Sequence, residues 1–290
     1  MYRIKENISY LRKYFVYGKF KFLSMINSNV FPVDPDADFV VSIASYPKRS
    51  HFLPAVFEAL CKQTVLPKKW ILILSEEEWP DLILPKYIEK LVRRNVEVIW
   101  VKNNTYAVKK LLPVMEKYPD YGVITLDDDQ IYHSEIIDNL VKNEYARKSC
   151  ITGHIGMILY KKGQTLNMMY REKERASVKT PSHQVYFIGW GGVYYPANSL
   201  DRRACDLDAI KAIVPGRGSD IWFWAAALAK GTRQVCVRIP KKDISTTIPL
   251  NTLTAPKEWL DNDQTEIRFQ NAIDHFGIRQ KLLEVLPDRG

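Results

Sequence analysis

The chain has 290 residues, of which 46% are hydrophobic, and carries a formal net charge of +9. This length and composition support one large α/β domain or two small ones and exclude disorder as the main state. The four cysteines form no CxxC pair, so neither a zinc knuckle nor a dense disulfide framework is expected, and a reducing cytoplasm fits best. We find no apolar run that reaches the roughly 18–20 residues of a spanning helix. The N-terminus also lacks the uninterrupted apolar core of a signal peptide.

Residues 1–22 hold six Lys/Arg and one acid, Glu6, and therefore more than half of the net charge. Ile4, Ile8, Leu11 and Phe15 recur at helical spacing, with basic residues on the intervening face. A basic, aromatic-rich amphipathic helix is typical of a bilayer interface. We therefore expect residues 1–22 to bind an anionic membrane surface, on the cytoplasmic face of the inner membrane. The alternative is a helix packed on the protein's own body. Nucleic-acid binding is not expected, because the excess charge is terminal and no known binding module accompanies it.

After a linker at residues 32–37, apolar runs alternate with amphipathic segments. Strands are predicted at residues 39–44, 70–74, 96–101 and 121–126, and helices at 51–63, 84–94 and 107–118. This alternation predicts a mainly parallel sheet with crossover helices on its faces, the usual host of a nucleotide.

The later elements are predicted less regularly. We expect a helix at 134–147, polar irregular chain at 161–184, a glycine turn at 189–192 between short strands, a helix at 219–230, a strand at 233–239, and a final helix interrupted near Gly277. Ser219 is the expected N-cap of the helix at 219–230 and Gly231 its stop.

Three consecutive carboxylates, Asp127, Asp128 and Asp129, follow the strand at 121–126. Ligands bind at the carboxyl ends of strands in open α/β sheets. If strand geometry persists, Asp127 and Asp129 share a face with Asp128 opposed. Such oxygens suit Mg²⁺ or Mn²⁺ held together with substrate phosphates. The alternative is a solvated acidic turn or helix start.

Six short segments, taken in order, resemble a known family. They are Ser42-Ile-Ala-Ser45-Tyr46-Pro47-Lys48-Arg49, Gln63-Thr64 with Pro67, Lys109-Lys110-Leu-Leu-Pro113, Asp127-Asp-Asp129 with Ile131-Tyr132, Gly189-Trp-Gly-Gly192 with Tyr195-Pro196, and Ser219-Asp220-Ile-Trp222. Between about residues 38 and 240 the chain resembles a GT-A fold nucleotide-sugar glycosyltransferase of the inverting, family-2-like type found in bacterial surface-polysaccharide assembly.

The resemblance implies roles on the donor side. Asp129 would be the main ligand of Mn²⁺ or Mg²⁺ in an aspartate-any-aspartate motif, supported by Asp127 and Asp128. Lys110, or its neighbour Lys109, would reach the phosphates of a nucleotide-sugar donor, with a UDP-sugar expected. A divalent cation would stabilise the charge of the departing diphosphate as a Lewis acid.

Two further donor-side roles and a third metal ligand are implied. Ser45 and Tyr46 would contact base and ribose, and Arg49 would bind a phosphate or hold the structure. Many enzymes of this fold use a late histidine on the metal. His275 is the candidate here and His133 its competitor, although a lone histidine in an amphipathic helix is usually structural.

Asp220 is the expected catalytic base, since inverting transfer needs a carboxylate to take the acceptor's proton and the helix start favours its ionised form. Many relatives carry two acids here, whereas this chain has Ser219 before Asp220. Trp190, Gly191 and Gly192 would bind the acceptor, with Trp190 offering a flat surface to a sugar. A tight hairpin with a core tryptophan is the alternative.

The sequence therefore predicts an inverting metal-dependent glycosyltransferase that acts on a glycan or lipid-linked glycan acceptor in capsule or lipopolysaccharide synthesis. The alternatives are a nucleotidyltransferase acting on a sugar phosphate and a non-catalytic glycan- or membrane-binding relic. The expected divisions are an N-terminal segment at 1–37, a catalytic domain at 38–245 with halves 38–132 and 133–245, and a helical extension at 246–290.

Overall fold

The computed structural model describes residues 2–173, 180–237, 245–249 and 262–290. Within them, one seven-stranded sheet and two small sheets are flanked by helices. The strands are β1 (Phe39–Ala44), β2 (Trp70–Ser75), β3 (Val96–Val101), β4 (Gly122–Leu126), β5 (Gln130–Tyr132), β6 (Ile151–Gly153), β7 (Gly156–Leu159), β8 (Arg171–Lys173), β9 (Val185–Phe187), β10 (Val193–Tyr195), β11 (Gln234–Cys236) and β12 (Ser245–Thr247).

The first four strands form the predicted parallel half of the large sheet, in the order β4-β1-β2-β3. They are nearly continuous apolar runs, as expected for strands that are covered on both faces. The α/β class with a mixed, mainly parallel, Rossmann-like sheet is therefore confirmed, and it is the architecture that the GT-A resemblance implied.

The other half of the large sheet is mixed. Strand β10 runs antiparallel to both β4 and β6, and β11 runs parallel to β6, which completes the order β11-β6-β10-β4. The small sheets pair β12 with β5, and β7 with β8 and β9, all antiparallel. These pairings bring the glycine turn before β10 next to the end of β4.

The described helices are α1 (Tyr2–Ile26), α2 (Leu53–Leu60), α3 (Lys86–Arg93), α4 (Leu112–Lys117), α5 (Ile136–Val141), α6 (Glu144–Arg147), α7 (Leu207–Ile213), α8 (Ser219–Lys230), α9 (Asn262–His275) and α10 (Arg279–Val285). Their helical faces cover both sides of the large sheet. Tyr17, α2, α3 and α5 contribute to one core, and α4, α7, α8, α9 and α10 contribute to the other.

Three local predictions about these helices were wrong. The helix predicted at 107–118 is a 3₁₀ helix (Tyr106–Lys110) followed by α4, because Pro113 has no N–H and fits only the first helical turn. The helix predicted at 134–147 divides into α5 and α6, since the Asn143 side chain caps α6. Gly218, with φ of 110°, occupies the N-cap of α8 in place of Ser219, whereas Gly231 ends that helix as predicted.

Helix α1 packs on the body through a face other than the one predicted. Tyr17 is buried in the core around α2, with Val16 and Phe20 packed against it, and its ring meets that of Phe52 edge-on at 5.9 Å. Leu11 and Phe15, two of the predicted apolar positions, remain 68% and 75% exposed. The helix therefore has two apolar faces, and one of them is used for packing.

A buried ion pair fastens the chain after α1 to the body. The Arg94 guanidinium donates to Glu58 at 2.8 Å and to the carbonyl of Asn29 at 2.6 Å, and Asn27 donates to the other Glu58 oxygen at 2.7 Å. The predicted linker is fixed as well, because the Trp70 indole donates to the Pro32 carbonyl at 2.8 Å.

The C-terminal helices belong to the same packing as the sheet. Phe269, Ile273 and Leu282 of α9 and α10 lie in one core cluster with Trp222 and Trp224 of α8. The break near Gly277 separates α9 from α10 as predicted. The strand predicted at 233–239 is confirmed over β11, and residues 238 and 239 lie outside the described residues. The division of the chain into domains stays a prediction. In the described part of the chain, we find no helix with the length and hydropathy needed to cross a bilayer.

Removing Arg94 should destabilise the fold strongly, because Glu58 would stay buried without its cation. We expect Arg94→Met to lower the free energy of unfolding by about 3–5 kcal/mol in urea titrations. Lys69→Met is the matched control, since Lys69 pairs with Glu97 while 43% exposed and should lose at most about 1 kcal/mol. Equal losses in the two variants would contradict this account of the pair.

Candidate active site at the carboxyl edge of the sheet

The parallel pairing of β1 with β4 brings the segments that follow them together. Phe39 pairs with Gly122 and Ile43 with Leu126, so both strands end at the same edge of the sheet. Ser45 follows β1 by one residue, and its hydroxyl donates to Asp128 at 2.7 Å. The predicted donor-side loop and the acidic cluster are thus in direct contact.

The triplet does not follow strand alternation. Strand β4 ends at Leu126, and Asp128 and Asp129 lie in a turn before β5. Both carboxylates meet Arg49, with Nη2 at 3.0 Å from Asp128 Oδ1 and in ion-pair contact with Asp129 Oδ2. Asp127 points to a different cation. The expected sharing of a face by Asp127 and Asp129 is therefore wrong, because it required strand geometry through Asp129 and the strand ends at Leu126.

Lys110 is the lysine of the pair that reaches the triplet. Its ammonium donates to Asp127 Oδ1 at 2.8 Å, whereas Lys109 pairs with Glu78 and donates to Asn104 at 3.0 Å. Burial disfavours the charge of Lys110, but Asp127 and Asp220 outweigh this effect and raise its pKa. Lys110 is therefore a buried, charged group set between two acids.

Asp220 lies in the first turn of α8 and faces the glycine turn. The Gly189 N–H donates to Asp220 Oδ2 at 3.1 Å. A Cβ added at Gly189 would lie 2.7 Å from Asp220 Oδ1 and 3.1 Å from Lys110 Nζ, so only glycine leaves room for both groups. Burial raises the pKa of Asp220, and Lys110 and the Gly189 N–H partly offset that rise.

Tyr132 connects the triplet to the glycine turn, a role that the sequence did not suggest. Its hydroxyl accepts from the Asp127 N–H at 2.8 Å and donates to the Trp190 carbonyl at 3.1 Å. Burial raises the pKa of Tyr132 well above its ordinary value of 10.0, so the hydroxyl keeps its proton. The position of a tyrosine five residues after Asp127 was the available signal.

Strand β12 supports the triplet from the other side. Gln130 accepts from the hydroxyls of Ser245 at 2.8 Å and Thr247 at 3.2 Å, and the Ile248 N–H donates to the Asp129 carbonyl at 2.9 Å. These residues also carried no sequence motif. The triplet's backbone is thereby held by two short strands.

Of the predicted acceptor residues, Trp190 is exposed, whereas Gly191 and Gly192 are buried. Trp190 is 39% exposed in the 3₁₀ turn Gly189–Gly191, so it is not a core side chain. Gly192 has φ of 83°, which favours glycine. A Cβ at Gly191 would lie 2.8 Å from Ile155 Cγ1. Backbone geometry therefore requires the glycines, and the exposed indole is left available to a ligand.

Tyr46 and Arg49 form the donor-side loop. Tyr46 is half-buried, and its carbonyl accepts from the Arg49 N–H at 3.0 Å. Burial opposes the charge of Arg49, but Asp128 and Asp129 raise its pKa. Its Nε is buried and has no acceptor among the described residues. Arg49 can therefore still donate one hydrogen bond to a ligand.

Neither candidate histidine is placed with the triplet by a described contact. His275 stacks on Trp222 with ring centroids 5.1 Å apart and meets Phe276 edge-on at 4.9 Å. His133 accepts from the Glu135 N–H through Nδ1 at 3.3 Å. Their role as metal ligands stays a prediction that no described contact supports.

The donor set fits a hard cation in type, although it is not preassembled. Asp127 and Asp129 offer carboxylate oxygens, which Mg²⁺ and Mn²⁺ bind in ones or twos together with substrate phosphates. In the ranges that the structure describes, no group of three or more His, Cys, Asp or Glu is placed to hold a metal. A cation at Asp129 would have to replace Arg49 there.

Comparisons with known proteins show likeness in fold alone. No family model and no curated protein matches the sequence. Among solved structures, S. aureus TarS 1–349 in complex with UDP is 12% identical with a TM-score of 0.45, covering 83% of this chain and 65% of that one. CMP:2-keto-3-deoxy-manno-octonic acid synthetase complexed with CTP is 10% identical with a TM-score of 0.42, covering 70% and 90%. Likenesses this weak do not distinguish one reaction from another.

The raised pKa of Asp128 should make the free energy of unfolding fall as pH rises. Burial, partly offset by Arg49, raises the pKa of Asp128 to about 7 from 3.8. Between these values the folded protein holds a proton that the unfolded chain has lost, so this stabilisation is present below pH 4 and disappears by about pH 7.

We expect Asp128→Asn to flatten the dependence of unfolding free energy on pH between 5 and 7 by up to about 1.4 kcal/mol per pH unit, measured in urea titrations. Asp138→Asn, which changes an exposed acid, is the control and should keep the wild-type slope. An unchanged slope in Asp128→Asn would show that Asp128 titrates normally.

Proposed function

We propose that the protein is an inverting glycosyltransferase that moves a sugar from a nucleotide-sugar donor to a hydroxyl of a glycan or lipid-linked glycan. The observation that carries the proposal is the position of Lys110 between Asp127 and Asp220. It joins the group expected to bind the diphosphate, the acidic cluster and the expected base in one site. A structural acidic turn requires no such convergence of three chain segments.

The donor diphosphate is best accommodated by the two cations. Lys110 is buried, Arg49 is half-buried, and both are charged and lie beside the triplet. The Arg49 Nε–H has no acceptor among the described residues, so it can donate to an oxygen of the diphosphate. Positive groups placed where charge develops stabilise a departing anion in a site that excludes water. Ser45 and Tyr46 lie at the same loop, where base and ribose would be bound.

Mn²⁺ or Mg²⁺ would be held by Asp129, with Asp127 in support, and when bound it supplies Lewis-acid stabilisation of the leaving diphosphate. Arg49 has a different role before the cation binds. It neutralises Asp128 and Asp129 in the ligand-free protein and keeps the turn after β4 in place.

Proton removal from the acceptor is assigned to Asp220. A general base works best when its pKa lies near the working pH, and burial moves the pKa of Asp220 in that direction. The Gly189 N–H holds one carboxylate oxygen, so the other is oriented in the site. Trp190 would support the acceptor sugar beside it. In this division, Lys110 and Arg49 bind the nucleotide-sugar donor, and Asp220 and Trp190 act on the acceptor.

Attachment to an anionic membrane is part of the proposal. The exposed stripe of α1 consists of apolar residues that a turn of 3.6 residues places on one face: Leu11, Phe15, Phe22, Met25 and Ile26. Arg12, Lys19 and Lys21 lie beside this stripe. Such a helix lies in the bilayer interface with its apolar face inserted, on the cytoplasmic face of the inner membrane.

Asp220→Asn should separate binding from chemistry. We expect nucleotide-sugar affinity within about twofold of wild type and a loss of transfer of about 10²–10⁴-fold, since a general base contributes this much. Calorimetry and a transfer assay provide the two readouts. Asp201→Asn, at a surface ion pair with Arg203, is the control and should retain activity. Full transfer by Asp220→Asn would remove Asp220 from the mechanism.

A thermal-shift panel of nucleoside diphosphates and sugar nucleotides, with and without Mn²⁺, tests the donor side. We expect one nucleotide to stabilise the wild-type protein more with Mn²⁺ than without it, and Asp129→Ala to lose that metal-dependent increment. Asp138→Ala serves as the surface control. Stabilisation by nucleoside triphosphates and not by diphosphate sugars would favour the nucleotidyltransferase alternative. No stabilisation by any nucleotide would favour the non-catalytic alternative.

A further inference from the structure

A cleft of about 550 Å³ lies between α1 and the body of the protein. Arg12, Val16 and Phe20 of α1 form one wall, and Lys62 lies at the opposite side, after α2. The volume is that of a small-molecule site. None of the three carboxylates of the triplet lines the cleft.

The chemistry of the lining is that of a site for an anion with an apolar part. Lys62 supplies positive charge, and Ser134, Ser245 and Thr246 supply hydroxyl groups. Arg12 also lines the cleft and has an interaction partner of its own. No Asp or Glu occurs among the described residues of the lining. An isolated cation or a cationic ligand finds no partner in such a set, whereas a phosphate finds charge and hydrogen-bond donors.

An apolar surface continues the same cleft. Val16, Phe20 and Ile131 line it beside the polar groups. On the outer side, Leu11 and Phe15 begin the exposed stripe of α1. At about 100° per residue, Arg12 lies between that stripe and the cleft wall. Helix α1 thus presents its membrane-facing stripe and its cleft face side by side.

The cleft is also connected to the candidate active site. Tyr132 lines the cleft, and the same side chain bonds the Asp127 N–H and the Trp190 carbonyl. Ser245 also lines the cleft, and its hydroxyl donates to Gln130 next to the triplet. A ligand in the cleft would therefore touch residues that hold the acidic cluster and the glycine turn in place.

From these features we infer that the cleft binds the phosphate head group of a membrane lipid. The phosphate pairs with Lys62 and accepts hydrogen bonds from the hydroxyl groups of the lining, and the apolar part of the lipid lies against Val16, Phe20 and the bilayer. This inference rests on the proposed attachment of α1 to an anionic membrane and adds to it a defined head-group chemistry. General surface attraction needs only negative charge, whereas the cleft selects an accessible phosphate monoester.

The test compares vesicles of phosphatidylcholine containing either phosphatidic acid or phosphatidylglycerol, matched for surface charge. We expect the full-length protein to bind the phosphatidic acid vesicles about fivefold more tightly, the effect of one added lysine–phosphate contact. Lys62→Ala should remove this preference, while Lys86→Ala, at an exposed lysine on α3, should keep it. Phe15→Ser should weaken binding to both kinds of vesicle.

A vesicle-free arm separates the sources of phosphate. Dihexanoyl phosphatidic acid should bind the wild-type protein and fail to bind Lys62→Ala, whereas glycerol 3-phosphate should bind weakly to both. Equal binding of the two ligands would show a free-phosphate site and overturn the lipid assignment. Equal binding to both kinds of vesicle, or a preference for phosphatidic acid that survives in Lys62→Ala, would overturn the assignment of the cleft as the phosphate site. No binding to either vesicle would reject the proposed attachment itself and, with it, this inference.

Discussion

Three adjacent carboxylates at the end of a buried strand constrain the whole edge of the sheet. Charges taken out of water cost several kcal/mol each unless they are paired. The chain meets this demand with Arg49 and Lys110, which come from segments after β1 and before α4. Satisfying the triplet therefore fixes the positions of two crossover connections relative to the turn after β4. The candidate site is a consequence of that neutralisation.

The sequence was informative wherever a single element carried its own signal. The apolar runs of β1 to β4 predicted a parallel sheet, since such strands are buried on both faces. The triplet was placed at the carboxyl edge of the sheet by its position after a strand, whereas Lys110 and Asp220 were singled out by the resemblance to a family, and the structure brings them close to the triplet. Strand positions are local signals. Once the strands are known to be parallel, residues that follow different strands are expected close together at one edge of the sheet.

The rest of the site depended on contacts between distant segments. The pairing of Arg49 with Asp128 depends on the turn that the chain makes after β4. The pattern of apolar and polar residues along the strand does not show that turn. Strands β5 and β12 have three residues each, too few to show a period of two. Tyr132 makes its contacts to backbone groups of Asp127 and Trp190, and no motif of side chains predicts a partner of that kind. In α1, apolar residues on two faces concealed which face packs.

Lys110 links the donor and acceptor sides of the site through charge. In the ligand-free protein it donates to Asp127 and, through its positive charge, favours the ionised form of Asp220. An anionic diphosphate bound to Lys110 would compete for that positive charge and leave Asp220 with less of it. The proton affinity of Asp220 would then rise when the donor is bound. Because Asp220 is the acid in the first turn of α8, no neighbouring carboxylate in that turn can share this change. Donor binding would thus strengthen the base at the moment when the acceptor must lose its proton.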